Sequence, residues 1–118
     1  YGVLLCPNLF GDIISDLQAG LAGGLGTAAG GNIGDGLSMF EPVHGSAPDI
    51  AGTGRSNPVA AILSGALMLE HLGEQEASKA INCAVSDFLE NAAENELPFE
   101  FGGAAAFDRV GERIRKYI

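Results

Sequence analysis

The distribution of glycine restricts this chain more than any other feature of its sequence. Thirteen of its eighteen glycines fall within residues 1–54, whereas residues 70–100 hold eight acids and a single lysine. Glycine lets the backbone turn freely and weakens regular elements, so the first half reads as loop-rich and the second as helical. The 118 residues, 47% apolar and 18% charged, suffice for one core and exclude a disordered chain. No internal repeat and no linker long enough to divide domains is visible.

Val3-Leu4-Leu5-Cys6 is an apolar run stopped by Pro7, which predicts a buried strand ending in a turn. A helix is expected from about Asp12 to Ala22, because Ile13, Leu17 and Leu21 recur at four-residue intervals. The stretch from Gly23 to Gly36 is dominated by Gly, Ala, Asn and Asp, which suits close turns rather than a packed element. Leu37-Ser38-Met39-Phe40 predicts a second strand, and Glu41 to Asn57 a long loop of the kind that carries function.

Asn57-Pro58 starts a helix, with Asn as cap and Pro at the first helical position, and the helix should run to about His71. Its apolar residues, Ala60, Ala61, Ile62, Leu63, Ala66, Leu67, Met68 and Leu69, cover most of the circumference and predict deep burial. The next helix, about Glu74 to Ala93, is amphipathic, with Ala77, Ile81, Ala84, Val85, Phe88 and Ala92 inward. Glu76, Lys79, Asp87, Glu90 and Asn91 face outward. A last helix over about Asp108 to Tyr117 turns Val110 and Ile114 inward and Arg109, Arg113 and Arg115 outward.

Fifteen acids against six bases give a formal charge of −9. A field of that sign repels phosphate backbones and anionic membranes, so neither nucleic acid nor membrane is an expected partner. The longest uncharged runs, residues 17–34 and 56–69, are respectively glycine-broken and too short to span a bilayer. Cys6 and Cys83 match no metal-ligand spacing and no disulfide scaffold, which predicts a reducing, cytoplasmic setting. The opening Tyr-Gly-Val-Leu-Leu-Cys lacks an initiator Met and any leader pattern, and it reads as a piece of something longer.

Two groups of residues could carry chemistry. Asp12 and Asp16 stand one helical turn apart on one face, where two carboxylates could share a hard cation. Taken alone, such a pair is more often a capping, solvated pair, and Mg²⁺ or Mn²⁺ would need further oxygen ligands. The segment from Glu41 to Gly52 gathers a carboxylate, an imidazole, a hydroxyl and glycines in one loop, a mixture that suits a polar ligand. His44 as a satisfied loop histidine, Asp49 as a cap and Asn57 as a helix cap are the plainer alternatives. Gly24, Gly26 and Ala29 fit a relaxed dinucleotide fingerprint, but a helix precedes them where a strand is required, so the Rossmann reading is rejected.

Three blocks in order carry a resemblance: Asn8-Leu9-Phe10-Gly11-Asp12-Ile13-Ile14-Ser15-Asp16, Gly30-Gly31-Asn32-Ile33-Gly34-Asp35, and Glu41 through Asn57-Pro58. Together they resemble the C-terminal third of the isocitrate/isopropylmalate dehydrogenase family, and Gly102-Gly103 extend the match toward the last helix. The fold class implied is α/β, the C-terminal portion of that family's fold and not a Rossmann fold. On this resemblance residues 1–22 end a substrate and dimer domain, and residues 23–118 form the C-terminal part of an NAD-binding domain.

The resemblance further implies that Asp12 and Asp16 bind Mg²⁺ or Mn²⁺, and that Glu41, His44, Gly45, Ser46, Ala47, Asp49, Ile50 and Asn57 line a cofactor site. A carboxylate at Asp49 accepts from a free ribose hydroxyl and repels a 2′-phosphate, which favours NAD over NADP. The implied reaction is oxidative decarboxylation of a small-molecule carboxylate, a 2-hydroxy di- or tricarboxylic acid, with 3-isopropylmalate ahead of isocitrate. The ion would stabilise the alkoxide and then the enolate, and the complete protein is expected to be a homodimer or higher oligomer.

The chain departs from the family pattern at Ala29, at Glu100-Phe101 and over Ala104 to Phe107. The family's substrate-binding arginines, catalytic Lys and Tyr, and another metal-binding Asp would precede Tyr1. No catalytic residue is therefore expected in this chain, which should not catalyse alone. Two other readings stand beside the enzymatic one: a non-catalytic remnant or complementing fragment, and a small acidic metal-binding module.

Overall fold

The computed structural model describes residues 2–118. Helix α1 spans Asn8–Ala22, strands β1 and β2 span Ala29–Ile33 and Ser38–Pro42, and helices α2, α3 and α4 span Val59–His71, Gln75–Asn91 and Phe107–Ile114. Short 3₁₀ turns at Leu25–Thr27, Pro48–Ile50, Glu94–Glu96, Phe99–Phe101 and Arg115–Tyr117 join them.

Helix α1 begins four residues earlier than the apolar spacing predicts. Pro7 holds an extended ψ of 156° at the N-cap, and its carbonyl accepts from Gly11 N at 2.8 Å, closing the first turn. Gly23, at φ 134°, ends the helix by donating its N–H to Ala19 O. The expected strand at Val3–Cys6 does not form. A strand needs a neighbour to satisfy its backbone groups, none pairs with it among the described residues, and Val3 and Leu5 are exposed.

The glycine-rich stretch is also more ordered than expected. Within Gly23–Gly36 lie a 3₁₀ turn and strand β1, which runs antiparallel to β2 with Gly31 opposite Phe40 and Ala29 opposite Pro42. Glycine is used here for close packing. A Cβ at Gly31 would come 3.2 Å from the Phe40 ring and 3.3 Å from Leu67, so the bare strand lets α2 approach. Strand β2 is displaced by one residue at its start and takes in Glu41 and Pro42, which shortens the loop to residues 43–58.

Helix α2 packs against both strands and against α3. Val59, Ala60, Ser64 and Ala66 are buried, but Ala61 and Met68 are exposed, so the expectation of all-round burial fails. Packing partners on two sides leave a strip between them open to solvent. Ser64 lies buried without penalty because its hydroxyl donates to Ala60 O at 2.8 Å.

The core is formed by Val59, Ala84, Val85, Phe88, Val110 and Ile114, where α2, α3 and α4 meet. Helix α3 holds its predicted inward face with one exception. Ala77 is exposed, and the neighbouring Ser78 is buried instead. The last helix starts at Phe107, gives way to a 3₁₀ turn after Ile114, and buries Val110 and Ile114 as its spacing predicts. Cys6 and Cys83 are both free. No helix among the described residues is long and apolar enough to cross a membrane.

Candidate functional site

The loop between β2 and α2 bends by a chain of local constraints. Ala47 takes a left-handed φ of 44° and caps the 3₁₀ turn Pro48–Ile50, with Ile50 N donating to Ala47 O at 3.1 Å. Gly52 and Gly54 both sit at φ 75°, where a side chain would be strained. Between them the Thr53 hydroxyl donates to Ile50 O at 2.7 Å and accepts from Arg55 N at 3.4 Å. Phe107 N donates to Gly54 O at 3.0 Å, tying the loop to the start of α4. His44 Nδ1 donates to Gly45 O at 3.0 Å, since a carbonyl only accepts, and this leaves the imidazole Nε2 available.

One wall of the space enclosed by this loop is a three-way latch. Glu100, in the 3₁₀ turn Phe99–Phe101, accepts from Gly26 N at 3.1 Å through Oε1 and from Asn57 Nδ2 at 2.8 Å through Oε2. Asn57 Oδ1 in turn accepts from Val59 N at 3.1 Å, satisfying an orphan donor at the start of α2. Gly26 must be glycine, because a Cβ there would collide with both the Glu100 carboxylate and the Asn57 side chain. The latch joins the turn after α1, the start of α2 and the segment before α4, three stretches far apart in sequence.

The result is a groove of about 1060 Å³, at the upper limit of the volumes of sites that hold small molecules and cofactors. Of the residues expected at a cofactor site, His44, Gly45, Ser46, Ala47, Ile50 and Asn57 line it. Glu41 and Asp49 do not. Glu41 lies in β2 opposite Gly30, and Asp49 sits exposed in the 3₁₀ turn. Helix α2 starts one residue later than expected, with Pro58 at the N-cap and Val59 first in the helix, so Asn57 stands just before the cap, bonds Val59 N through its side chain and also lines the groove.

Sequence reasoning missed several lining residues: Leu25, Gly26, Thr53, Arg55, Phe99 and Glu100, with Phe107 and Asp108 at the α4 end. Most could not be found from spacing, because they come from separate segments. Arg55 offered a signal, being the one arginine in the first hundred residues.

Asp12 and Asp16 are exposed on α1, with Cβ atoms about 6 Å apart as the i, i+4 spacing dictates. Ser15 Oγ donates to Asp12 O at 3.1 Å, and neither carboxylate forms an ion pair among the described residues. Exposed oxygen donors suit a hard divalent ion, but no cluster of three or more acidic, His or Cys side chains occurs among the described residues. The pair can supply two ligands of six, and water or substrate oxygens would supply the rest. The six residue steps from Asp16 to Ala22 make about 9 Å of helix, and the helix leads on to Leu25 and Gly26 of the groove.

Known proteins resemble the chain over nearly its whole length. A sequence model of the isocitrate/isopropylmalate dehydrogenase family matches residues 1–107. An isocitrate/homoisocitrate dehydrogenase of Thermus thermophilus is 53% identical over 114 residues, covering 97% of this chain and 33% of that protein. A 3-isopropylmalate dehydrogenase of Thermobifida fusca is 50% identical over 121 residues, covering 100% of this chain and 32% of that protein. Among solved structures, isocitrate dehydrogenase from Methylococcus capsulatus superposes with a TM-score of 0.88 at 46% identity, covering 93% of this chain and 32% of that one. A β-decarboxylating dehydrogenase from Thermococcus kodakarensis gives a TM-score of 0.83 at 48% identity, with the same coverage. The chain therefore spans about a third of the length of the relatives it matches.

Proposed function

Because this chain belongs to the isocitrate/isopropylmalate dehydrogenase family, we propose that it is the C-terminal portion of an NAD- and metal-dependent oxidative decarboxylase. Its fold is the corresponding portion of that family's fold. The substrate class is a 2-hydroxy di- or tricarboxylic acid, with 3-isopropylmalate placed ahead of isocitrate. Relatives named for isocitrate/homoisocitrate and for 3-isopropylmalate stand at nearly equal identity, 53% and 50–52%, which supports the class more than either member.

The observation that carries this reading is the convergence of His44, Gly45, Ser46, Ala47, Ile50 and Asn57 on one groove large enough for a nucleotide. The glycine and alanine backbone lets a ligand approach closely, Ile50 offers an apolar face to a base, and the free His44 Nε2 and the Ser46 hydroxyl can bond to its polar edge. Glu100 and Asn57 hold the walls in register. On α1, Asp12 and Asp16 would hold a divalent ion through their exposed carboxylate oxygens. Such an ion, when bound, supplies Lewis-acid stabilisation of negative charge on the substrate oxygen. The assignment of residues 1–22 to a substrate and dimer domain and of 23–118 to the cofactor domain belongs to this reading, as does assembly of the complete protein into a homodimer or higher oligomer.

Titration of the 118-residue chain with NADH, read by nicotinamide fluorescence, and with Mn²⁺, read by its electron-spin resonance signal, tests both halves. Saturable NADH binding and weaker Mn²⁺ binding by Asp16→Asn are expected. Equal Mn²⁺ affinity in both proteins would remove Asp16 from the metal site, and no saturation by NADH would remove the cofactor assignment. The uncovered apolar face of α1, at Leu9, Ile13, Leu17 and Leu21, favours a second reading, a fragment that works only with further polypeptide laid on that face.

A further inference from the structure

Arg55 is the one arginine among the residues lining the groove, and neither of the two ion pairs among the described residues includes it. Its guanidinium carbon lies 4.7 Å from the centroid of the Phe99 ring, which lines the same groove. Stacking on a ring uses the flat face of a guanidinium and leaves its in-plane N–H fork free for an oxyanion. Both acidic residues in the lining are engaged elsewhere: Glu100 accepts from Gly26 N and Asn57 Nδ2, and Asp108 accepts from Arg109 N at 2.8 Å. The backbone around Arg55 is held by the Thr53 hydroxyl and by the Gly54 contact to Phe107.

In a chain of net charge −9 the long-range field opposes an anionic ligand, so an anion can be held only by donors at short range. Resting on the nucleotide reading above, we propose that Arg55, laid on Phe99, is the phosphate anchor of this groove and donates its planar fork to a phosphate of the bound nucleotide. Two phosphates share that chemistry: the 5′-phosphate chain, and a 2′-phosphate on the adenosine ribose. Asp49, the carboxylate expected to repel the second of these, lies outside the groove lining.

Amide chemical-shift titration of the chain with adenosine, 5′-ADP and 2′-AMP, following Gly45, Gly52 and Gly54, tests this and reads weak binding directly. Wild type should bind one phosphorylated ligand more tightly than adenosine, and the ligand that gains identifies which phosphate is held. Arg55→Gln should erase that gain, roughly tenfold for one charge-assisted pair, and leave adenosine unchanged. Arg55→Lys should recover part of it, since a point charge lacks the fork. Circular dichroism checks that both variants fold.

A loss in Arg55→Gln that is equal for adenosine and for the phosphorylated ligand would mark a structural stack and overturn the anchor, as would no loss at all. Adenosine binding in wild type with no gain from either phosphate would overturn the anchor and leave the nucleotide groove standing. If none of the three ligands perturbs these amides, the nucleotide reading fails and the anchor fails with it.

Discussion

Helices α1 and α3 carry the same kind of sequence pattern and meet opposite fates. In α3 the apolar face closes over the core, and Phe88 is 1% exposed. In α1 the face made by Leu9, Ile13, Leu17 and Leu21 stays uncovered, Leu17 is 63% exposed, and only Ala19 is buried. Periodicity specifies a helix and says which side of it is apolar. It says nothing of what lies opposite.

The contrast can be broken first at Phe88. Truncation to Ala removes the largest fully buried side chain and should cost about 3–5 kcal/mol, read as a lower urea midpoint; a cost below about 1 kcal/mol would mean that this core is not the one that holds the chain. Next comes the latch, which couples the α1 end of the molecule to the core. Glu100→Ala leaves Gly26 N and Asn57 Nδ2 without their acceptor and should cost about 1–3 kcal/mol, together with faster amide exchange at Gly26. Unchanged exchange there would show that the turn is held by something else.

Asn57→Ala removes both the acceptor for Val59 N and the donor to Glu100 Oε2 and should cost about 1 kcal/mol, read from the urea midpoint, a loss that Asn57→Asp should not recover, because it sets a second carboxylate against Glu100. The smallest effect belongs to α1. Leu17→Ser should change the chain's own stability by less than about 0.5 kcal/mol while reducing self-association in light scattering. A large loss of stability from Leu17→Ser would show that the face is covered in solution, and the contrast between the two helices would then fall.

The site divides in the same way. The run from His44 to Asn57 was legible because its chemistry is concentrated in one stretch of chain, and six of the seven residues read there as cofactor contacts line the groove. Glu100 and Phe99 were not legible as lining residues, because nothing local marks them; they reach the groove across the latch and the stack on Arg55. Strand β1 was missed for a related reason. Ala29-Gly30-Gly31-Asn32 has no apolar alternation, and its pairing with β2 and the close approach of α2 make it a strand.

The amino-acid sequence alone determined that the four helices form, which sides of α1, α3 and α4 are apolar, and the family, because these follow from spacing and from contiguous motifs. Tertiary structure decided whether each apolar run found a partner, which left Val3–Cys6 unpaired and α1 bare while Phe88 was sealed. It also decided which distant side chains share the groove. Burial and hydrogen bonding depend on neighbours in space, and spacing along one chain does not fix those neighbours.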